Sequence, residues 1–284
     1  MTLSVPGSGS PATSRYSGTM ETTSARPGTA AGVTLFPQTA GSCSDCAAHD
    51  CCLGSRLTSM ADARSLAGIR HKYTLNCREH LFHEGDPLEA IYVVKSGAVK
   101  LYLMSEDGSE QVVAFYMPGE ILGLDALGHG SHRSSAVLLE RSTFCVIPFN
   151  SLERLPGCHQ MLYKLLAMEL ARDHHTIELI TRKDAETKMA NFLLDLSERF
   201  RARGFSASSF NLSMKRNEIG NHLGLAVETV SRILTRFQEE GMLTVRRRQV
   251  EIHDFAGLKH HAGHQAGGDT CRTASGIRPS RAVR

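Results

Sequence analysis

The apolar pattern of this chain changes period near residue 150, and that change fixes its architecture. Over residues 81–148 apolar residues fall in short runs, at 90–94, 98–104, 111–116 and 136–139. Turn signals separate them at Glu84-Gly85-Asp86, Lys95-Ser96-Gly97, Glu106-Asp107-Gly108 and Met117-Pro118-Gly119. Short, regularly punctuated strands predict a small antiparallel roll or barrel. Over residues 158–181 the turn residues vanish, and Leu162, Leu165, Leu166, Met168, Leu170, Ile177 and Ile180 recur at helical spacing, predicting one long amphipathic helix. Residues 185–255 then read as helix, loop, two short helices and a hairpin. The class is α+β.

The two ends differ from this body. Of the first 40 residues 23 are Ser, Thr, Gly or Pro, too few apolar groups to offset the entropy of ordering, so residues 1–40 are expected to be disordered. Residues 256–284 lack apolar periodicity and read as a loose basic tail, with His260, His261 and His264 as a solvated cluster. No run approaches the roughly 18 apolar residues of a membrane helix, which excludes a membrane partner of that kind. The first residues lack a basic and an apolar signal region, so a cytoplasmic address is expected. A net charge of +3 is too small to argue by itself for a nucleic-acid partner.

The placement of charges is more informative. Residues 215–223 can form a short helix with Ile219 and Leu223 inward, ended by Gly224, and Leu225 packs in the turn. A second helix, 227–238, would bury Val227, Val230, Ile233, Leu234 and Phe237. Helix, Gly-containing turn, helix is the helix-turn-helix pattern. Glu228, Ser231 and Arg232 then share one face near the start of the second helix, where base-reading residues sit: Arg can donate twice to guanine, Glu can accept from cytosine, and Ser can do either. Arg246, Arg247 and Arg248 lie between two short apolar runs and form a basic wing suited to phosphate. An ordinary charged helix surface would carry the same Glu and Arg spacing, so spacing alone favours DNA binding without requiring it.

Cys43, Cys46, Cys51 and Cys52 crowd into ten residues that are otherwise rich in Ser, Asp and Ala, which apolar burial does not explain. In a reducing compartment such crowding points to metal or redox chemistry. A C-x-x-C pair with a third thiolate from Cys51 or Cys52 needs a fourth from elsewhere, and zinc and an iron–sulfur cluster accept the set equally. Cys145, in an apolar strand, reads equally well as a small buried hydrophobe. Cys77 and Cys158 read as structural, and Cys271 as a tail thiol. A thiol redox enzyme is disfavoured, because this C-x-x-C follows a leader and does not join a strand to a helix.

These residues together resemble the CRP/FNR superfamily of bacterial transcription factors, specifically its oxygen-responsive FNR (fumarate and nitrate reduction) branch. The resemblance covers residues 43–255. It rests on Cys43-Ser44-Asp45-Cys46 with a cysteine after five more residues, on Phe82-His83-Glu84-Gly85-Asp86, on Phe144-Cys145-Val146-Ile147-Pro148-Phe149, and on the stretch from Ile219-Gly220-Asn221-His222 to Val230-Ser231-Arg232. It implies an N-terminal antiparallel β-roll of the cyclic-nucleotide-binding type (a jelly roll), a long dimerisation helix and a C-terminal winged helix-turn-helix. It also implies that Cys43, Cys46, Cys52 and Cys145 ligate a [4Fe-4S] cluster, with Cys51 as the alternative third ligand, and that Glu228, Ser231 and Arg232 read a TTGAT-type half-site. In the cyclic-nucleotide branch an Arg-Ser pair like Arg133-Ser134 takes phosphate, but the position of that branch's ribose-binding Glu is here Leu124.

The expectation is therefore a homodimeric regulator of double-stranded DNA that acts with RNA polymerase and is not an enzyme. Its segments are a leader (1–40), a cluster loop (41–60), a β-roll (61–157), a dimerisation helix (158–183), a winged helix-turn-helix (184–255) and a tail (256–284). In the resemblance the cluster favours the DNA-binding dimer, and oxygen converts it to a [2Fe-2S] form and releases DNA. Asp173 breaks the apolar stripe through Leu162, Leu166, Glu169 or Leu170, Ile177 and Ile180, and is expected to act as the dimer switch; a drifting stripe with Asp173 simply solvated is the plainer reading. The rival functions are a cyclic-nucleotide-responsive regulator and a zinc-stabilised DNA-binding adaptor.

Overall fold

A computed structural model describes residues 29–30, 33–34, 71–154, 156–182 and 184–263. Within the leader, Thr29–Ala30 (β1) pairs antiparallel with Val33–Thr34 (β2); the rest of that segment lies outside the described residues. The roll is two four-stranded antiparallel sheets. One has the order β3 (His71–Leu75), β10 (Ser142–Pro148), β5 (Ala90–Ser96), β8 (Ile121–Leu122). The other runs β4 (His80–Phe82), β9 (Ser135–Leu138), β6 (Val99–Met104), β7 (Glu110–Tyr116). Their inner faces enclose a core that includes Leu81, Phe82, Tyr92, Val99, Leu138 and Phe144.

A bulge decides what the outer face of the edge strand does. Leu101 pairs with Ala114 but Tyr102 pairs with Val112, so Val113 is an extra residue. One added residue inverts the alternation, and Val112 turns outward on the same side as Phe115. Both join Ala98, Met117 and Leu139 in a core shared with the C-terminal domain, alongside Met189, Leu193, Ile219 and Phe237.

After the short α1 (Phe149–Glu153), the long α2 spans Cys158–Thr181. Cys158, Met161 and Leu165 bury one of its faces against Ile91, Val93, Ile121 and Ile147 of the roll. Of the stripe expected through Leu162, Leu166, Glu169 or Leu170, Ile177 and Ile180, only Leu162 and the Glu169 alternative need correction. Leu162 packs on the roll, and Glu169 accepts a 2.7 Å hydrogen bond from the Tyr116 hydroxyl. The exposed stripe is instead Leu166, Leu170, Asp173, Ile177 and Ile180, with spacings of four, three, four and three.

The C-terminal domain comprises α3 (Ala185–Arg201), α4 (Arg216–Leu223), α5 (Val227–Glu239) and the sheet β11 (Ser209–Asn211), β13 (Gln249–Ile252), β12 (Leu243–Arg246). A further helix, α6 (Phe255–His261), falls in the segment expected to be loose tail. Its single buried apolar residue, Leu258, gives no periodicity to read, yet it reaches the shared core. Asp254 caps its N-terminus. His261, expected to be solvated, sits 3.1 Å from Glu240 and 3.5 Å from Glu186. His264 and residues beyond it lie outside the described residues.

Candidate nucleic-acid interface

Two glycines build the turn between α4 and α5. Gly224 adopts φ 64° and ψ 43°, the left-handed conformation that ends a helix most cheaply when no Cβ is present. Gly220 lies where a Cβ would come 2.6 Å from the Leu225 carbonyl oxygen, so any side chain there would push α4 off the turn. Glu218 accepts a 2.7 Å bond from the Lys215 backbone N–H and so satisfies the start of α4.

On α5, Val230, Ile233, Leu234 and Phe237 are buried as their spacing predicts, but Val227 is 39% exposed. As the first residue of the helix it lies beyond the packed turn. Glu228 and Arg232 are exposed one turn apart on the outward face. Ser231 is half-buried, and its hydroxyl accepts a 3.2 Å bond from the Arg216 guanidinium on α4. Arg216 thus ties the two helices together beside the exposed Glu228 and Arg232, a role that no spacing within α5 could have revealed.

The wing turns between Arg246 and Gln249, which pair across the hairpin. Arg247 has φ 58°, a left-handed conformation that a side chain other than Gly pays for with roughly 1–2 kcal/mol. Arg246, Arg247 and Arg248 are all exposed. The Arg248 carbonyl accepts from Leu212 N–H at 2.7 Å, which anchors this cationic tip to the body of the domain.

The first helix of the pair docks on the edge of the roll. The Asn221 carboxamide accepts from Val112 N–H and donates to the Glu110 carbonyl, each at 2.6 Å, pairing with β7 as another strand would. Lys100, almost fully buried, lies 2.6 Å from Glu110 and 3.5 Å from Glu218 on α4. His222 packs edge-on against Phe115 with its Nδ1 3.3 Å from the Val112 carbonyl, and burial holds its pKa below the ordinary value. The roll therefore meets the C-terminal domain directly as well as through α2.

Of the expected thiolate ligands, Cys43, Cys46 and Cys52, and the alternative Cys51, lie outside the described residues. Cys145 is on β10 between Val93 and Lys72 of the neighbouring strands, half-buried against the apolar cluster under α2. Among the described residues no group of three His, Cys, Asp or Glu side chains could hold a metal ion. Cys158 is buried, and burial raises its pKa, so it stays a thiol. Cys77 donates to the Leu139 carbonyl at 3.1 Å. Asp173 lies exposed in the middle of the α2 stripe.

Comparison with known proteins places this arrangement. Residues 74–156 match the family model described as the Cyclic nucleotide-binding domain, and residues 187–261 match the Crp-like helix-turn-helix domain. The chain is 42% identical to the Transcriptional activator protein anr of Pseudomonas aeruginosa, over 80% of this chain and 94% of that one. It is 38% identical to the Fumarate and nitrate reduction regulatory protein of Escherichia coli K12, over 78% of this chain and 90% of that one. Among solved structures, FixK2 from Bradyrhizobium japonicum superposes with a TM-score of 0.62 at 30% identity, covering 68% of this chain and 96% of the other. No described helix is long and apolar enough to cross a membrane. These relatives are regulators rather than enzymes, and the chain belongs to the CRP/FNR family of DNA-binding transcription regulators, on the branch that includes Anr and the fumarate and nitrate reduction regulator.

Proposed function

We propose that the protein is an oxygen-responsive, cytoplasmic transcription regulator that binds a palindromic TTGAT-type DNA site as a homodimer and acts there on RNA polymerase. The observation that carries the DNA half of this reading is the exposed Glu228 and Arg232 pair at the start of α5, beside the three exposed arginines of the wing. Arg232 and Glu228 provide donors and acceptors for base edges, Ser231 is held at the same surface by Arg216, and Arg247 meets phosphate. Two copies of this surface, related by a two-fold axis along α2, would address half-sites about one helical turn apart.

Cys43, Cys46, Cys52 and Cys145 would hold a [4Fe-4S] cluster. Four thiolates are the donor set that such clusters take, and Cys145 offers its sulfur from a strand fixed on both edges, against apolar neighbours that limit water. When bound, the cluster would supply an oxygen-labile centre. The chain's own part is to hold the thiolates, to carry their state through β10 and α2, and to make dimerisation conditional through Asp173.

Anaerobic purification tests this reading. A brown protein with broad visible absorption, bleached by air together with loss of specific DNA binding, is the expected result. A colourless protein containing zinc would replace the sensor with a structural site. Single replacement of Cys43, Cys46, Cys52 or Cys145 by Ser should remove the iron and the sulfide, whereas C77S and C158S should retain them. Retention in C52S with loss in C51S would reassign the third ligand.

A further inference from the structure

The roll contains a second polar centre that DNA reading and thiolate binding do not use. In the 3-10 turn Leu124–Gly128, Asp125 directs its carboxylate at the segment leading into β9. One oxygen lies 3.1 Å from His132 Nδ1, and the other accepts from the Arg133 backbone N–H at 3.0 Å and from the Ser134 hydroxyl at 2.9 Å. Because a carboxylate only accepts, the His132 Nδ1 must carry the proton. The donors are fixed from behind. His132 is 2% exposed and stacks on Phe82 with ring centroids 3.7 Å apart, and Ser134 is 4% exposed. Gly123, at φ 96°, lets the turn close over them, since a Cβ there would lie 3.1 Å from the Ala90 carbonyl.

Two buried side-chain donors, His132 and Ser134, and the backbone N–H of the exposed Arg133 converge on two oxygens and make a seat for an oxyanion. It opens on a cavity of about 380 Å³ between roll and helix, lined by Leu101, Leu122, Arg133 and Leu170 and, on the helix side, by the carboxylates Glu169 and Asp173. This part of the chain matches the Cyclic nucleotide-binding domain, whose ligand class carries one phosphodiester charge. The residues do not fit such a ligand. The seat is taken by Asp125, a second anion would meet its charge, and Leu124, where a sugar hydroxyl would need a partner, is buried in apolar contact with the cluster containing Met161 and Leu165.

We infer that Asp125 is a built-in oxyanion: it fills the seat that a phosphate group would take, organises the turn before β9 without any ligand, and closes the roll to phosphate-bearing ligands, cyclic nucleotides included. The inference rests on the geometry of the roll alone and is independent of the oxygen-sensing reading. It predicts that removing the carboxylate exposes a working anion site, because His132, the Arg133 N–H and Ser134 remain in place with nothing to accept from them.

Thermal denaturation of the full-length protein tests it, with wild type and D125A compared in inorganic phosphate, in 3′,5′-cyclic AMP and in chloride at matched ionic strength. D125A should melt lower than wild type in chloride and recover in phosphate, while wild type responds to neither anion. Phosphate should bind D125A at least about tenfold more tightly than wild type, the factor of one hydrogen bond to a charged group. Recovery in both phosphate and cyclic AMP identifies a seat open to nucleotides; recovery in phosphate alone supports the filled seat and limits its ligands to free oxyanions. If D125A is recovered poorly, its refolding yield in phosphate against chloride reads the same quantity. The double variant D125A/S134A should lose the response. The inference is overturned if folded D125A responds to neither anion, if wild type responds as strongly as D125A, or if the response survives the loss of Ser134.

Discussion

Glu120, in the turn after β7, and Arg199, on α3, share two hydrogen bonds of 3.0 and 2.8 Å that join the roll to the DNA-reading domain. Arg203 bonds to the same carboxylate, and Arg172 of α2 approaches it to 4.0 Å. Arg199 also donates to the Phe115 carbonyl at 2.6 Å and to Asp195 at 3.2 Å. Three segments of the chain, from roll, long helix and reading domain, therefore converge on one buried carboxylate. A signal that shifts α2 against the roll alters this cluster directly.

The cluster predicts a specific acid sensitivity. Burial pushes the Glu120 carboxyl up, but Arg199, Arg203 and Arg172 overcome it and hold the group at about 2, against an ordinary 4.5. A depressed carboxyl contributes stability that is complete above the unfolded value and is lost as pH falls from 4.5 towards 2, in total on the order of 3 kcal/mol. Glu120→Gln should therefore destabilise the protein by about 3–5 kcal/mol at pH 7, since it leaves buried guanidinium groups uncompensated. Denaturant unfolding of both proteins at several pH values checks it: the gap should narrow as pH falls below 4.5. A gap independent of pH would mean that packing, not charge, is what the substitution removes.

A second prediction concerns the dock between α4 and β7. Asn221→Ala leaves the Val112 N–H and the Glu110 carbonyl without their carboxamide partner, at a cost of about 1–3 kcal/mol. Amide exchange at Val112 should then accelerate by roughly tenfold or more, while amides in the roll interior, such as that of Phe144, keep their protection. Unchanged exchange at Val112 would show that the shared apolar core holds the interface without Asn221.

Both relationships were invisible in the sequence for the same reason. Glu120 and Arg199 are 79 residues apart, and Val112 and Asn221 are 109 apart, and no local pattern couples such positions. The helix-turn-helix was legible because its determinants are local: Gly224 for the turn, and Val230, Ile233, Leu234 and Phe237 for the buried face. The strands β5, β6, β7 and β9 were legible from the apolar runs and turns at 90–139. By contrast β3, with the sequence HKYTL, and the two-residue β8 carry no strand signal of their own and form because β10 and β5 offer them edges. In the sequence the Arg133-Ser134 pair only resembles the phosphate-binding pair of the cyclic-nucleotide branch, and that Asp125 accepts from both residues follows only from the fold.

The reading surface predicts two separable losses. Arg232→Ala should cost roughly 1–3 kcal/mol on the specific site and relax discrimination at one base pair, with little change on random DNA. Arg247→Gly should weaken all sequences alike and reduce the salt slope by about 0.9. It should not lower the melting temperature, because Gly adopts the φ of 58° without strain. Titrations on specific and random duplexes at several salt concentrations, with melts alongside, resolve these effects. Equal losses on both duplexes for Arg232→Ala would reduce it to a phosphate contact.

The last prediction concerns the stripe on α2. Leu166, Leu170, Ile177 and Ile180 are between 37% and 56% exposed and follow the alternating four and three spacing by which two parallel helices interlock. Asp173 occupies the central position of that stripe. If two copies pair along it, the two Asp173 carboxylates meet at the seam, where they repel each other and lose hydration, at a cost of roughly 1–3 kcal/mol. That cost weakens the dimer by roughly 5- to 150-fold, enough to leave the chain monomeric at concentrations where the remaining apolar stripe alone would pair it. On the proposed reading, filling of the thiolate site would make up the difference and dimerisation would follow the signal. Asp173→Ala should consequently dimerise and bind specific DNA in air, with neither iron nor sulfide bound. Sedimentation of the aerobic variant supplies the measurement, and a monomer at concentrations where the anaerobically purified wild type is dimeric would remove Asp173 from the switch and leave it an ordinary solvated side chain.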